Sequence, residues 1–212
     1  MKTFVHEGAY RGEGLLKKIA AQHITLCGVG AIGSNLADNL VRQGFQKITA
    51  IDFDRVEEHN RNTQVWNIRD VGQLKVAALK SHLFNVMKVS VESIDKKLEA
   101  SNVRKFLKAG SIVVDGFDNP ESRKIVMEHC LDNQIDCLHI GLAEDCAEVT
   151  WNGRYHVPKK GTGIDVCEYP LARNTAMVAM LVGTESLIRY IDTGVKESYI
   201  ISLKDFKICR CD

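Results

Sequence analysis

Proline is scarce in this chain, three in 212 residues, so no Pro-rich linker divides it. No low-complexity segment or internal repeat interrupts it either. No apolar run approaches the roughly 20 residues that a membrane-spanning helix needs. The opening stretch, MKTFVHEGAYRGEG, lacks an apolar signal core and carries Glu7 and Glu13 early, which predicts a cytoplasmic protein without membrane contact. No CxxC pair occurs, so the usual zinc signature is missing and zinc is not expected. The seven cysteines then need not form disulfides. Cys27, Cys130, Cys137 and Cys146 stand in apolar surroundings and read as buried small hydrophobes. His59, His129, His139 and His156 show no metal-ligand spacing and read as structural or solvated residues. A large excess of one charge is also absent. Lys plus Arg is 28 against 27 for Asp plus Glu, so nothing suggests a polyanion-binding surface, and nucleic acid is not an expected partner.

What the chain does have is an ordinary globular balance, 45% hydrophobic and 26% charged, with enough apolar material for a core. Strand-like and helix-like segments alternate. His23–Gly28, Lys47–Phe53, Val89–Ile94, Ser111–Gly116, Cys137–Gly141 and Tyr199–Leu203 read as strands. Ala31–Gln43 reads as a helix with Ile32, Leu36, Ala37, Leu40 and Val41 on one face, stopped by Gly44. Gln73–Val86, Val103–Ala109, Glu121–Asn133 and Arg173–Asp192 read as further helices. Val149–Trp151 and Tyr155–Val157 suggest a short antiparallel pair, and 158–171 a polar loop. The alternation predicts an α/β, Rossmann-like fold: a mostly parallel sheet, helices on both faces and a short antiparallel extension. We expect one domain over 1–212, with a nucleotide-binding part at 1–145. The part at 146–212 would hold a crossover loop, a long helix and a terminal strand.

Gly28-Val29-Gly30-Ala31-Ile32-Gly33 is a GxGxxG between a strand and a helix. The first glycine permits the tight turn, the second lets backbone approach a phosphate, and the third allows close helix–strand packing. The helix N-terminus beyond them favours an anion. Asp52, at the end of the next strand, stands where a ribose-binding carboxylate is expected. These features alone suit NAD as well as ATP, so an NAD(P)-dependent oxidoreductase remains an alternative.

Three later runs depart from a dehydrogenase. They are Asp52-Phe53-Asp54-Arg55-Val56-Glu57-Glu58-His59-Asn60, then Gly72-Gln73-Leu74-Lys75, then Asp115-Gly116-Phe117-Asp118-Asn119 with Arg123 one helical turn on. In this order they resemble the ThiF/MoeB/HesA family of ubiquitin-activating-enzyme-like adenylyltransferases, from about Arg11 to Arg123. The resemblance implies ATP and Mg²⁺ as cofactors. Gly28, Gly30, Ala31, Ile32, Gly33, Asp52, Asp54, Asn60, Arg61, Gln64, Lys75, Asp118 and Asn119 would form the nucleotide site. It implies that Lys75 contacts phosphates, that Asp118 coordinates Mg²⁺ and that Asn60 bonds a phosphate or ribose oxygen. Each has a plainer reading: a solvated helix lysine, a helix N-cap and a turn residue. Arg123 reads as a support for the Asp118 loop through a carboxylate, or as a surface arginine. Arg11 stands where family dimers carry an arginine that reaches the neighbour's ATP; a surface charge is the alternative.

The chain also departs from the family pattern. Thr63 stands where an arginine is common, with Arg61 as a substitute. The zinc cysteine pairs are missing, and Cys209 and Cys211 form only a CxC in a segment that reads as terminal disorder. Cys167 lies in the crossover region, where some members carry a covalent cysteine. Asp165 and Glu168 flank it and would disfavour a thiolate, so an unreactive packing cysteine is the other reading. The resemblance implies adenylation of a carboxylate, typically the Gly-Gly C-terminus of a ubiquitin-like or sulfur-carrier protein, by a homodimer. A catalytically inactive relative kept as a binding protein is a further alternative.

Overall fold

The structure is a computed structural model that describes residues 2–158 and 171–211. A continuous sheet has the strand order β3-β2-β1-β4-β5-β6-β7-β8. Its strands are β1 (His23–Cys27), β2 (Lys47–Ile51), β3 (Glu92–Ile94), β4 (Ser111–Asp115), β5 (Cys137–Ala143), β6 (Cys146–Trp151), β7 (Ser198–Ser202) and β8 (Lys207–Cys211). The pairings from β3 through β5 are parallel, and those from β5 through β8 antiparallel. The chain runs from β1 outward to β2 and β3, then returns to β4 on the other side of β1. That reversal places a crevice at the carboxyl ends of β1 and β4, where ligands bind in open α/β sheets.

Helices cover both faces, as the alternation predicted. The helices are α1 (Val5–Arg11), α2 (Glu13–Ala21), α3 (Ala31–Gln43), α4 (Lys75–Met87), α5 (Val103–Phe106), α6 (Pro120–Asp132) and α7 (Arg173–Thr193). One core packs α2, α3, α4 and α7 onto the sheet through Leu36, Leu79, Leu138, Ile140 and Leu187. A smaller core on the opposite face joins Val103, Val126 and Cys130 to Cys27, Ile51 and Val113. The predicted stripe on α3 is buried throughout, from Ile32 to Val41. Gly44 caps α3 in the left-handed region at φ 109°, a conformation glycine adopts without a Cβ penalty.

Several expectations need correction. Val149–Trp151 belongs to β6, whose partners are β5 and β7 rather than Tyr155–Val157. Tyr155 is instead drawn into the interior, 5% exposed. Val89 and Val91 are buried, but only Glu92–Ile94 pairs as strand. The segment expected to be terminal disorder forms β8, because its alternating backbone finds β7 as a partner. Cys146 is exposed at the start of β6, beside Asp145; the other three cysteines of that group are buried as expected. Among the described residues, no helix is long and apolar enough to cross a membrane.

Candidate nucleotide site

The phosphate turn is built by backbone geometry. Gly28 leaves β1 at φ 89°, and its own N–H donates to Ile51 O at 2.9 Å. A Cβ on Gly33 would stand 2.0 Å from Gly28 O, so a side chain there would force helix and strand apart. A Cβ on Gly30 would meet nothing within 4 Å. The space above the second glycine is therefore open, which is what a phosphate requires. Gly30 precedes α3 and no side chain caps the helix. A positive helix end thus faces that space.

Asp52 sits beside this turn, 6% exposed. Its Oδ2 accepts the Val29 N–H at 2.7 Å and its Oδ1 the Asp54 N–H at 2.8 Å. Burial pushes its carboxyl above the usual carboxylate range. The charge of Lys75 and the two backbone donors offset only part of that. Lys75 opens α4 and is 8% exposed, so it is no solvated helix lysine. Its Nζ meets Asp54 Oδ2 at 2.9 Å. The sequence motif therefore delivers a cation and two carboxylates to one edge.

The run from Asn60 to Gln64 forms a tight 3₁₀ turn (Glu58–Asn62) and its exit. Asn60 is buried and its Oδ1 accepts the Glu57 N–H at 3.0 Å, the turn role that the sequence left open. Arg61 pairs with Glu58, while its Nε is buried without a partner. Gln64 Oε1 accepts from Trp66 Nε1 at 2.6 Å, which fixes the exit of the turn. The turn is tied to α3 by Asn35, whose Nδ2 donates to both Ala31 O and Thr63 O at 2.7 Å. It is tied to α7 by Arg173, whose Nη1 donates to Asn62 O at 3.1 Å.

The second loop follows β4. Asn119, not Asp118, caps α6: its side chain accepts the Ser122 N–H at 2.9 Å, with Pro120 opening the helix. That settles the capping alternative and leaves the Asp118 carboxylate exposed beside Asn119 Nδ2 at 3.4 Å. Beneath it lies a buried polar network. Asp115 Oδ1 accepts the Phe117 N–H at 3.1 Å, and Oδ2 faces His139 Nδ1 at 2.8 Å. Arg123 Nε donates to Phe117 O at 2.5 Å, Nη2 to Ile140 O at 2.7 Å and Nη1 to Tyr155 OH at 3.0 Å. Both polar groups of the Phe117 peptide segment are thus held, which positions the residue before Asp118. His139 Nε2 lies 2.9 Å from Asn152 Oδ1, and its ring stacks on Tyr155 at 3.7 Å. Burial alone would raise the Asp115 carboxyl. Arg123 and the His139 hydrogen bond outweigh it and hold the group below the usual range. Arg123 is therefore the loop support and not a surface arginine.

Arg11 is not brought to this edge within the chain. Its Nε meets Glu7 at 2.7 Å and its Nη2 meets Glu185 at 2.8 Å. Cys167 lies outside the described residues. The structural reading of His139 holds, although the sequence did not pair it with Asp115; sequence reasoning missed Asn152, Tyr155, Asn35 and the Arg173 contact. One signal was available: Asp115 ends an apolar strand and His139 interrupts another, and an Asp is almost never fully buried unless paired. Nothing in the sequence points Arg173 at Asn62.

The site suits Mg·ATP by its donor set. The open turn under a helix N-terminus would take a phosphate, and the buried Asp52 would take a ribose hydroxyl. Mg²⁺ usually binds one or two carboxylates together with substrate phosphates and waters, and Asp118 offers one exposed carboxylate on the loop after β4 that would hold it. Among the described residues, no group of three or more acidic, His or Cys residues could hold a metal unaided.

Comparison with known proteins bears on this arrangement. Residues 6–199 match the model of the ThiF family. A tRNA threonylcarbamoyladenosine dehydratase 1 of Saccharomyces cerevisiae is 32% identical over 136 residues, covering 61% of this chain and 32% of that protein. A tRNA threonylcarbamoyladenosine dehydratase of Escherichia coli is 31% identical over 133 residues, covering 61% of this chain and 50% of that protein. The chain thus spans a third to a half of the length of these curated relatives. The crystal structure of E. coli MccB with ATP superposes with a TM-score of 0.81 at 21% identity, over 100% of this chain and 69% of that one. At that identity the likeness concerns the fold.

Proposed function

The chain belongs to the ThiF family, and from that premise we propose that it uses ATP to adenylate a carboxylate. One observation carries the reading. The glycine turn, the buried Asp52, Lys75 at the head of α4 and the clamped Asp118 loop converge on one sheet edge at the strand-order reversal. A dehydrogenase needs the first two of these and has no shared use for the others.

In this reading Asp52 holds the ribose and the open turn at Gly30 receives phosphate. A carboxylate oxygen of the substrate forms a bond to the α-phosphorus, and the bridging α–β bond breaks. Pyrophosphate leaves with the electron pair. No general base is needed, since a carboxylate is already ionised near pH 7. The chain's task is therefore positioning and charge stabilisation. Lys75 and the α3 N-terminus lie against phosphate charge. Asp118 would hold Mg²⁺, which when bound offsets phosphate charge. The peptide clamp by Asp115 and Arg123 keeps that carboxylate in place.

The substrate we favour is a polypeptide C-terminus, such as the Gly-Gly end of a ubiquitin-like or sulfur-carrier protein. The near-neutral chain offers no excess of positive charge for a polyanion. A second reading, a carboxylate carried on a modified tRNA, is favoured by the names of the first two relatives. A homodimer would allow Arg11 to act across the interface, after exchanging its bonds to Glu7 and Glu185. ATP–pyrophosphate exchange with Mg²⁺ and a panel of both carboxylate classes tests this. Exchange that requires one substrate and disappears in Asp118→Ala supports adenylation and identifies its class. Binding of NAD with no binding of ATP would sink it.

A further inference from the structure

The antiparallel strands beyond β5 have one covered face and one open face. On β6, Ala147, Val149 and Trp151 are buried together with Ile201 of β7 and the inner side of α7. Side chains alternate along a strand, so Cys146, Glu148 and Thr150 point the other way. There Glu148 and Thr150 are half-buried, and Ile200, directly across from Glu148 on β7, is 56% exposed.

Glu148 is the acid that the polar networks leave out. Asp52, Asp54 and Asp115 each accept a hydrogen bond from a neighbour or face one. The Glu148 carboxylate has no hydrogen bond or ion pair among the described residues. It leans over β5: a Cβ added at Gly141, its partner in register, would stand 3.1 Å from both its Cγ and its Oε1. The missing side chain at position 141 is what lets the carboxylate lie there. Asp115 pairs with His139, so Gly141 stands two residues beyond the end of β4. That is the carboxyl side of the sheet, where the Asp118 loop begins. Burial disfavours the charge on Arg123; Asp115 restores it first, and Glu148 adds to it from beyond ion-pair distance.

A half-buried carboxylate without a partner carries a desolvation cost that a cation would offset. Ile200 beside it suits the hydrocarbon stem of an arginine or lysine whose charged head reaches Glu148. In the sheet order β6 is three strands from β1, roughly 14 Å at the usual strand spacing. An extended polypeptide advancing about 3.3 Å per residue crosses that distance in about four residues.

We propose that Glu148, with Ile200, selects a polypeptide substrate that carries a basic residue about four positions before its C-terminal carboxylate. This rests on the adenylation reading and deepens it, because an acid at this place favours a basic polypeptide tail over the phosphates of a nucleic acid.

The test uses synthetic peptides ending in Gly-Gly, with Arg, Ala or Glu at about the fourth residue from the end. Their binding to the full chain with Mg²⁺ and ATP is measured beside ATP–pyrophosphate exchange. Wild type should favour the Arg peptide over the Glu peptide by about tenfold or more. Glu148→Gln should erase that preference, and Glu148→Arg should invert it. Peptides bound equally by wild type, or not bound at all, overturn the proposal. So does a preference that survives Glu148→Gln, or an equal loss of ATP affinity in that variant, which would place Glu148 in the nucleotide site. Exchange that ignores tail charge, or that only a carboxylate on modified tRNA supports, sinks the selection and spares adenylation. Charge-dependent peptide binding with no exchange keeps the selection and sinks adenylation.

Discussion

Asp52 and Asp115 are neighbours in the fold with opposite electrostatics. Asp115 ends β4 and Asp52 follows β2, on either side of Cys27 at the end of β1. Both are buried, at 6% and 0% exposure, and each accepts a backbone N–H at the start of its loop. Asp115 is surrounded by Arg123 and His139 and is held below the usual carboxylate range. Asp52 has Lys75 only at a distance, because Asp54 takes the Lys75 ammonium, and it stays above that range. The difference teaches what each loop is for. Asp115 is spent within the protein, holding the peptide that precedes Asp118. Asp52 carries a burial cost that Lys75 and two backbone donors offset only in part, which in the proposed adenylation is the state of a group kept for the nucleotide.

The largest break in this comparison should come from Asp115→Asn. It leaves Arg123 and His139 buried without their carboxylate, and removing one partner of a buried pair costs about 3–5 kcal/mol. Denaturant unfolding reads it. The linkage has a sign as well. The lowered folded-state pKa of Asp115 contributes stability that is present above the unfolded value near 4. It is lost as pH falls through the lower folded value, so the variant's deficit should shrink in acid. A deficit that is constant down to strongly acidic pH would contradict the assignment of the charge.

A smaller effect is expected from Arg123→Lys, which retains a cation near Asp115 but loses the fork that reaches Phe117 O, Ile140 O and Tyr155 OH. Charged hydrogen bonds of this kind suggest roughly 2 kcal/mol. The exchange rate should fall with little change in ATP affinity, because the Asp118 loop is loosened while the nucleotide contacts remain. Equal loss of both would argue that the clamp supports the whole crevice.

Asp52→Asn should have the smallest effect on stability, under about 1 kcal/mol, since relief of a buried charge offsets the loss of one backbone bond. ATP affinity should nevertheless fall by about tenfold. The raised folded-state pKa makes wild-type stability decline as pH climbs through the carboxylate range. The variant should therefore gain on wild type from about pH 4 upward. A large stability loss with ATP affinity intact would reverse the roles given to the two aspartates.

What could be read in the sequence follows from locality. The glycine turn, the α3 stripe, Asp52 and Lys75 are each specified within a dozen residues, by φ requirements, periodicity or a strand-to-helix junction, and each stands where its pattern placed it. The short pair proposed around Tyr155 was misread because Tyr155 is drawn toward His139 and Arg123, partners far away in the chain. The segment that became β8 has no strong local signal; pairing with β7 orders it. Asp118 was a plausible cap by its residue type, and the backbone geometry gave that role to Asn119 instead.

By itself, the sequence determined an alternating α/β chain, a phosphate turn after its first strand and a set of acids and cations in family order. These are matters of backbone conformation and short-range spacing. Tertiary structure alone decided which charged groups meet a partner and which partner each meets. Asp115 met His139, Arg11 met Glu185 and Arg173 met Asn62 across 24, 174 and 111 positions of sequence. Burial and charge pairing depend on neighbours in space, and the chain brings those together only when the sheet closes around them.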